Sequence, residues 1–142
     1  MTREQLMDVL SVFRMATYRD AKAFIYRIMV TRSWMTPLMS LACLGRLTQP
    51  HYLPILGAIG SAKLLTPEDL QRVHVPVTVI WGENEELLPA ESLAFFQQHL
   101  PPHARFEQPE RTGHVPHADR PRYVARSVYT MADSDGDQSD SV

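Results

Sequence analysis

One stretch limits the folds open to this chain more than any other: "VPVTVIW", residues 75–81. It is rich in β-branched residues, apolar on both faces, and bounded by Pro76 and Gly82. A continuous run of this kind suits a parallel strand buried on both sides. Beyond Gly82 the chain keeps the rhythm of an α/β sheet. "PAESLAFFQQHLP" predicts a helix with Leu93, Phe96 and Leu100 on one face. "HARFEQPERTGH" predicts a second strand, weakened by Pro109. "DRPRYVARSVYTM" predicts a last helix packing Val124, Val128 and Met131. Strand, helix, strand, helix implies a parallel sheet with a right-handed crossover.

Residues 1–72 have a different texture, with short helical patterns punctuated by proline. Leu6, Val9, Leu10 and Phe13 make one apolar stripe, and Ala21, Phe24, Ile25 and Ile28 make another. "WMTPLMSLACLG" suggests Thr36 as a cap, Pro37 in the first turn and Gly45 as the stop. "TPEDLQRV" repeats the device with Thr66 and Pro67. The organisation expected is a helical region over 1–72, an α/β region over 73–131, and an acidic tail over 132–142. That tail, "ADSDGDQSDSV", has too little apolar surface to fold.

Composition excludes several classes. With 142 residues, 44% of them hydrophobic and 21% charged, the chain is globular with room for one modest core. A net charge of -2 offers no basic field for nucleic acid or anionic lipid, so neither is an expected partner. The single cysteine, Cys43, excludes an internal disulfide and fits a reducing compartment. No run approaches the ~20 apolar residues of a membrane span, and the start carries charges where a secretory signal is apolar. A cytoplasmic location is the expectation.

Two motifs bear chemistry. In an open parallel sheet, ligands bind beyond the carboxyl ends of the strands. "WGENEELLP" places Glu83, Glu85 and Glu86 there, directly after the first strand. "RTGHVPHADRP" places His114 after the second. A histidine at such an edge accepts a proton near neutral pH when a carboxylate fixes its tautomer. The bland alternatives are solvated loop carboxylates and a loop histidine. His114 and His117 have metal-ligand spacing, but Pro116 lies between them and no third ligand is near, so no metal is expected.

In this order the two motifs resemble the C-terminal half of the α/β-hydrolase superfamily. "HVPVTVIWGENEELLP" is similar to the segment carrying the triad acid in those proteins, and "TGHVPHADRP" to their histidine loop. The resemblance implies a partial α/β-hydrolase fold, with residues 1–72 in the place of a helical cap. It implies Glu85 as the triad acid and His114 as the general base, in the family's Ser…Asp/Glu…His order. Glutamate adds a methylene to the usual aspartate, so Glu85 must be set back or folded to reach Nδ1. Cap side chains such as Phe24, Trp34 and Met39 are candidates to line a substrate pocket, plain helix packing being their alternative. No cofactor is implied, because triad chemistry uses only side chains, backbone amides and water.

The nucleophile elbow G-x-S-x-G is missing. The nearest serine context, "AIGSAKLL", has Ile59 where glycine is required before Ser61. The expectation is therefore a C-terminal piece of a serine-type hydrolase acting on a small ester or similar apolar substrate, inactive alone. It would be completed by an N-terminal half or would self-associate. The alternative is a non-catalytic binding or interaction module built on the same fold.

Overall fold

The computed structural model describes residues 1–136. Five helices come first: α1 (Arg3–Ser11), α2 (Tyr18–Ile28), α3 (Thr36–Leu47), α4 (Tyr52–Ser61) and α5 (Pro67–Gln71). They lead into β1 (Thr78–Ile80), α6 (Ala90–His99), β2 (Arg105–Glu107), the single turn α7 (Pro116–Asp119) and α8 (Pro121–Gly136).

Local chemistry accounts for three of the helix starts. Thr2, Thr17 and Thr66 each cap a helix with a reciprocal box, to Gln5, Asp20 and Asp69 respectively. Such caps contribute about 1 kcal/mol each by satisfying orphan amides. α3 departs from its expected punctuation. Met35 occupies its cap position with no side-chain bond, Thr36 is already helical, and Gly45 lies inside the helix, which runs to Leu47. Gly45 does not adopt the left-handed conformation by which glycine often ends a helix, and α3 continues to a right-handed cap at Thr48.

The helical region has its own core of Met15, Ala21, Phe24, Ile25 and Met29. Phe13 and Phe24 pack with their rings tilted, 5.1 Å between centroids. Val115 and Ala118, from the other end of the chain, pack against this same cluster. Burying five such side chains contributes roughly 1.5–3 kcal/mol for each large one, before the entropy of ordering them.

β1 and β2 pair in parallel, with Val79 opposite Phe106. The ladder extends at both ends, through Arg105 N to Val77 O at 2.8 Å and Trp81 N to Glu107 O at 2.8 Å. Trp81 is buried against Phe96 of α6, 5.9 Å between centroids. Glu107 fastens α8 to the sheet, accepting from Tyr123 Oη at 2.8 Å and Ser127 Oγ at 2.7 Å.

The α/β region departs from expectation in several places. β1 is half-buried at all three residues rather than enclosed on both faces. Only two strands are present among the described residues, so β1 has a neighbour along one edge and lacks one along the other. Val128 of α8 is exposed, as are Tyr129 and Val75, instead of packing in a core. α8 also continues to Gly136, through the first residues of the expected tail; residues 137–142 lie outside the described residues.

Candidate functional site

The site forms where β1 and β2 release their chains. Gly82 comes directly after β1 and lies against the backbone of the histidine loop: a Cβ there would collide with the carbonyl oxygens of Thr112 and Gly113. Its φ is not positive, so space rather than turn geometry demands glycine. Asn84 N donates to Thr112 O at 2.9 Å and Glu83 N to Pro109 O at 3.2 Å, which zips the two loops together. Arg111, at φ 54, turns the chain so that its own amide reaches Glu83 Oε2 at 3.1 Å.

This zipper brings Glu85 to His114. Nδ1 of His114 lies 2.7 Å from Oε2 of Glu85. The extra methylene of glutamate is accommodated by folding back: Oε1 accepts from Leu87 N at 2.6 Å and Leu88 N at 3.0 Å. One carboxylate oxygen is thus anchored to the next turn of chain while the other faces the imidazole. The Glu85 side chain is 8% exposed and that of His114 33%, so the acid is shielded and the ring is partly open.

Burial alone pushes the Glu85 carboxyl up, but the hydrogen bonds from His114, Leu88 and Leu87 outweigh it and hold it below the usual carboxylate range. An ionised carboxylate only accepts, so the proton between them belongs to Nδ1 of His114. In the neutral ring that leaves Nε2 as an acceptor. Nε2 makes no hydrogen bond among the described residues. Such a pair can take up a proton at Nε2 and stabilise the resulting charge.

Asp119, absent from the sequence-based site, holds the histidine loop. Its Oδ2 accepts from Gly113 N at 2.9 Å and Val30 N at 3.2 Å, and its Oδ1 from Thr31 N at 2.7 Å. Val115 N donates to Ile28 O at 3.2 Å. A Cβ on Gly113 would sit 2.7 Å from that same Ile28 carbonyl, so the approach is tight. On the acid side, Arg27 Nε donates to Glu86 O at 2.7 Å. The end of α2 is therefore fastened to both loops. The only hint in the sequence is a carboxylate inside the histidine loop; two of its three amide partners lie almost ninety residues away in the chain.

The remaining candidates separate. Glu83 is engaged with Arg111, and Glu86 is exposed and contributes its backbone carbonyl. His117 is exposed on α7, a turn that Pro116 starts rather than prevents. No group of three His, Cys, Asp or Glu that could hold a metal occurs among the described residues. Phe24 is buried in the helical core and Met39 packs against it, whereas Trp34 is 87% exposed. Ser61 closes α4 and donates to Gly57 O at 2.6 Å, an ordinary bond within a helix.

No protein-family model matches the chain, and no curated protein matches it in sequence. Solved structures do. The chain matches 2-hydroxy-6-oxo-6-phenylhexa-2,4-dienoate hydrolase from Rhodococcus sp. strain RHA1 with a TM-score of 0.70 at 16% identity, over 89% of this chain and 48% of that one. A bacterial membrane phospholipase A, a virulence factor, matches with a TM-score of 0.68 at 16% identity, over 83% of this chain and 38% of that one. A carboxylesterase from Bacillus subtilis matches with a TM-score of 0.64 at 18% identity, over 89% and 44%.

The chain therefore has an α/β-hydrolase fold in part, related through its fold to hydrolases and esterases. It spans less than half the length of these three structures.

Proposed function

We propose that this chain supplies the acid and the base of a serine-type α/β-hydrolase that cleaves a small ester or similar apolar substrate, with the nucleophile carried by polypeptide outside it. The observation that carries this reading is the 2.7 Å bond between Nδ1 of His114 and the anchored Glu85 carboxylate, at the carboxyl ends of two parallel strands. A serine Oγ attacks the substrate carbonyl while His114 Nε2 takes its proton and passes it to the leaving oxygen. Water then gives a proton to Nε2, its oxygen attacks the acyl carbon, and serine is released with the proton returned to it. Glu85 holds the imidazole tautomer and stabilises its charged form. Residues 1–72 act as the cap over this site.

The half-buried β1 supports the division into two parts. An apolar strand of buried type with one unpaired edge is what remains when its other neighbour lies on a different segment.

Hydrolysis of a chromogenic short-acyl ester tests the proposal, using the chain alone and the chain joined to the polypeptide encoded upstream, each with His114→Ala. The chain alone should show no turnover above its His114→Ala variant. The joined protein should turn over, and His114→Ala should lower kcat by roughly a thousandfold or more. Turnover by the chain alone that His114→Ala abolishes would place the nucleophile inside these residues. An upstream region without a G-x-S-x-G elbow would leave a binding module and sink the catalytic reading.

A further inference from the structure

α3 buries two hydroxyl residues beside its core-facing apolar ones and leaves other apolar residues exposed. Its inner face buries Thr36, at 4% exposed, and Ser40, at 0%, and spends both hydroxyls locally: Ser40 Oγ donates to Thr36 O at 2.7 Å and Thr36 Oγ1 accepts from Ser33 N at 3.2 Å. The outer face carries Leu38 and Leu41, 61% and 59% exposed, with Trp34 preceding the helix. Trp34, Leu38, Leu41 and Gly45 recur at helical spacing and form one stripe. Around Gly45 the surface is open. Met39 and Cys43, on the other side of the helix, join the core shared with α2 and the histidine loop, so the stripe faces away from the body of the fold.

Charge identifies the occupant. Between Asp20 and Glu68 the chain has no acidic side chain and five cationic ones. Lys63 is partly matched by Asp69 at 3.7 Å, and Arg27 is committed to the Glu86 carbonyl. Of the other three, two adjoin the stripe in the chain and the third shares a ring with one of them. Arg32 is exposed two residues before Trp34 and stacks on Tyr26 at 4.3 Å, Lys22 lies 5.5 Å from the same ring, and Arg46 is exposed on α3 itself, bonded to Tyr52 Oη. The net charge of -2 averages this segment with an acidic remainder and conceals it.

An apolar stripe bordered by cations, with tryptophan at its end, is the pattern of a helix lying in a lipid interface. A second copy paired through the same face would set these cations against their own counterparts, which repel. We propose that this face docks on an anionic lipid surface. Trp34, Leu38 and Leu41 enter the boundary between headgroups and acyl chains, while Lys22, Arg32 and Arg46 meet the phosphates. Docking needs the face to stay uncovered when the polypeptide proposed outside this chain is joined to it, so vesicle binding by the chain alone that the joined protein loses overturns the proposal.

The experiment is co-sedimentation of the chain with phosphatidylcholine vesicles, with and without phosphatidylglycerol, read alongside tryptophan fluorescence. The chain has two tryptophans, and Trp81 is buried, so a blue shift on binding reports Trp34. Binding to the mixed vesicles should exceed binding to neutral ones by about a hundredfold, from three cations near the surface, and should weaken with salt. Leu38→Glu with Leu41→Glu should abolish binding with unchanged far-ultraviolet dichroism, since both residues are exposed. Trp34→Phe should remove the blue shift and keep the co-sedimentation. No binding to mixed vesicles at low salt, or equal binding to both kinds, overturns the proposal. So does a blue shift that grows with protein concentration without vesicles, alongside a dimer in sedimentation velocity; a second copy would then cover the stripe.

Discussion

Asp119 offers the sharpest test of how the histidine is held. Its two oxygens divide three backbone donors: Oδ2 serves Gly113 and Val30, and Oδ1 serves Thr31. Gly113 is buried, so removing its acceptor leaves an amide cut off from water, at about 1–3 kcal/mol. Val30 and Thr31 are exposed, water replaces much of what they lose, and each adds about 0.5 kcal/mol. Asp119→Ala should therefore destabilise the chain by about 2–4 kcal/mol. Asparagine keeps one acceptor oxygen, which in the Oδ2 position still serves Gly113 and Val30, so Asp119→Asn should cost nearer ~1 kcal/mol. Urea midpoints of the three proteins give the comparison. If asparagine costs as much as alanine, the negative charge matters and the count of acceptors does not. If alanine changes stability by less than about 0.5 kcal/mol, the loop is held by something else. The pH dependence adds a second check. Burial raises the Asp119 carboxyl, but the bonds from Gly113, Thr31 and Val30 prevail and hold it below its ordinary value. Its contribution is therefore complete above the unfolded carboxylate pKa and fades as pH falls through the lower folded value. The gap between wild type and Asp119→Asn should narrow in acid.

Two other substitutions probe the same frame. Gly82→Ala drives a methyl into the Thr112 and Gly113 carbonyls, which cannot retreat without parting the loops. It should cost roughly 3 kcal/mol or more and remove the downfield Nδ1 proton resonance of His114 from the NMR spectrum. Ser92, in the first turn of α6, is 7% exposed and its Oγ has no hydrogen-bond partner among the described residues. Ser92→Ala should therefore raise the urea midpoint, by the equivalent of about 1 kcal/mol; a lowered midpoint would show that the hydroxyl is satisfied in solution.

Local patterns carry much of this architecture. The strand–helix–strand–helix order after residue 73 is legible because β-branched runs and helical spacing are properties of short windows. That a carboxylate and His114 should meet is legible because each comes just after a strand end, and parallel strands bring such ends to one edge. That the carboxylate is Glu85 rather than Glu83 or Glu86 is implied only by the resemblance to α/β-hydrolases. The Asp119 clasp is not legible, since backbone amides look alike in any sequence and two of its three partners come from a distant loop. The half-buried β1 is not either: composition records the environment a strand suits, and its neighbours decide the one it has. α3 misleads in another way, because Gly45 reads as a stop and Thr36 as a cap. Packing against α2 carries the helix past the one and buries the other.

The core shared by α2, Val115 and Ala118 has a mechanical consequence. A helical layer that swings freely leaves the loops beneath it where they were. Here the end of α2 holds the histidine loop through Ile28 and Asp119, and the acid loop through Arg27, so helix and imidazole form one lever. Prising the helices outward would drag His114 with them, and whatever seats them would set the aim of Nε2.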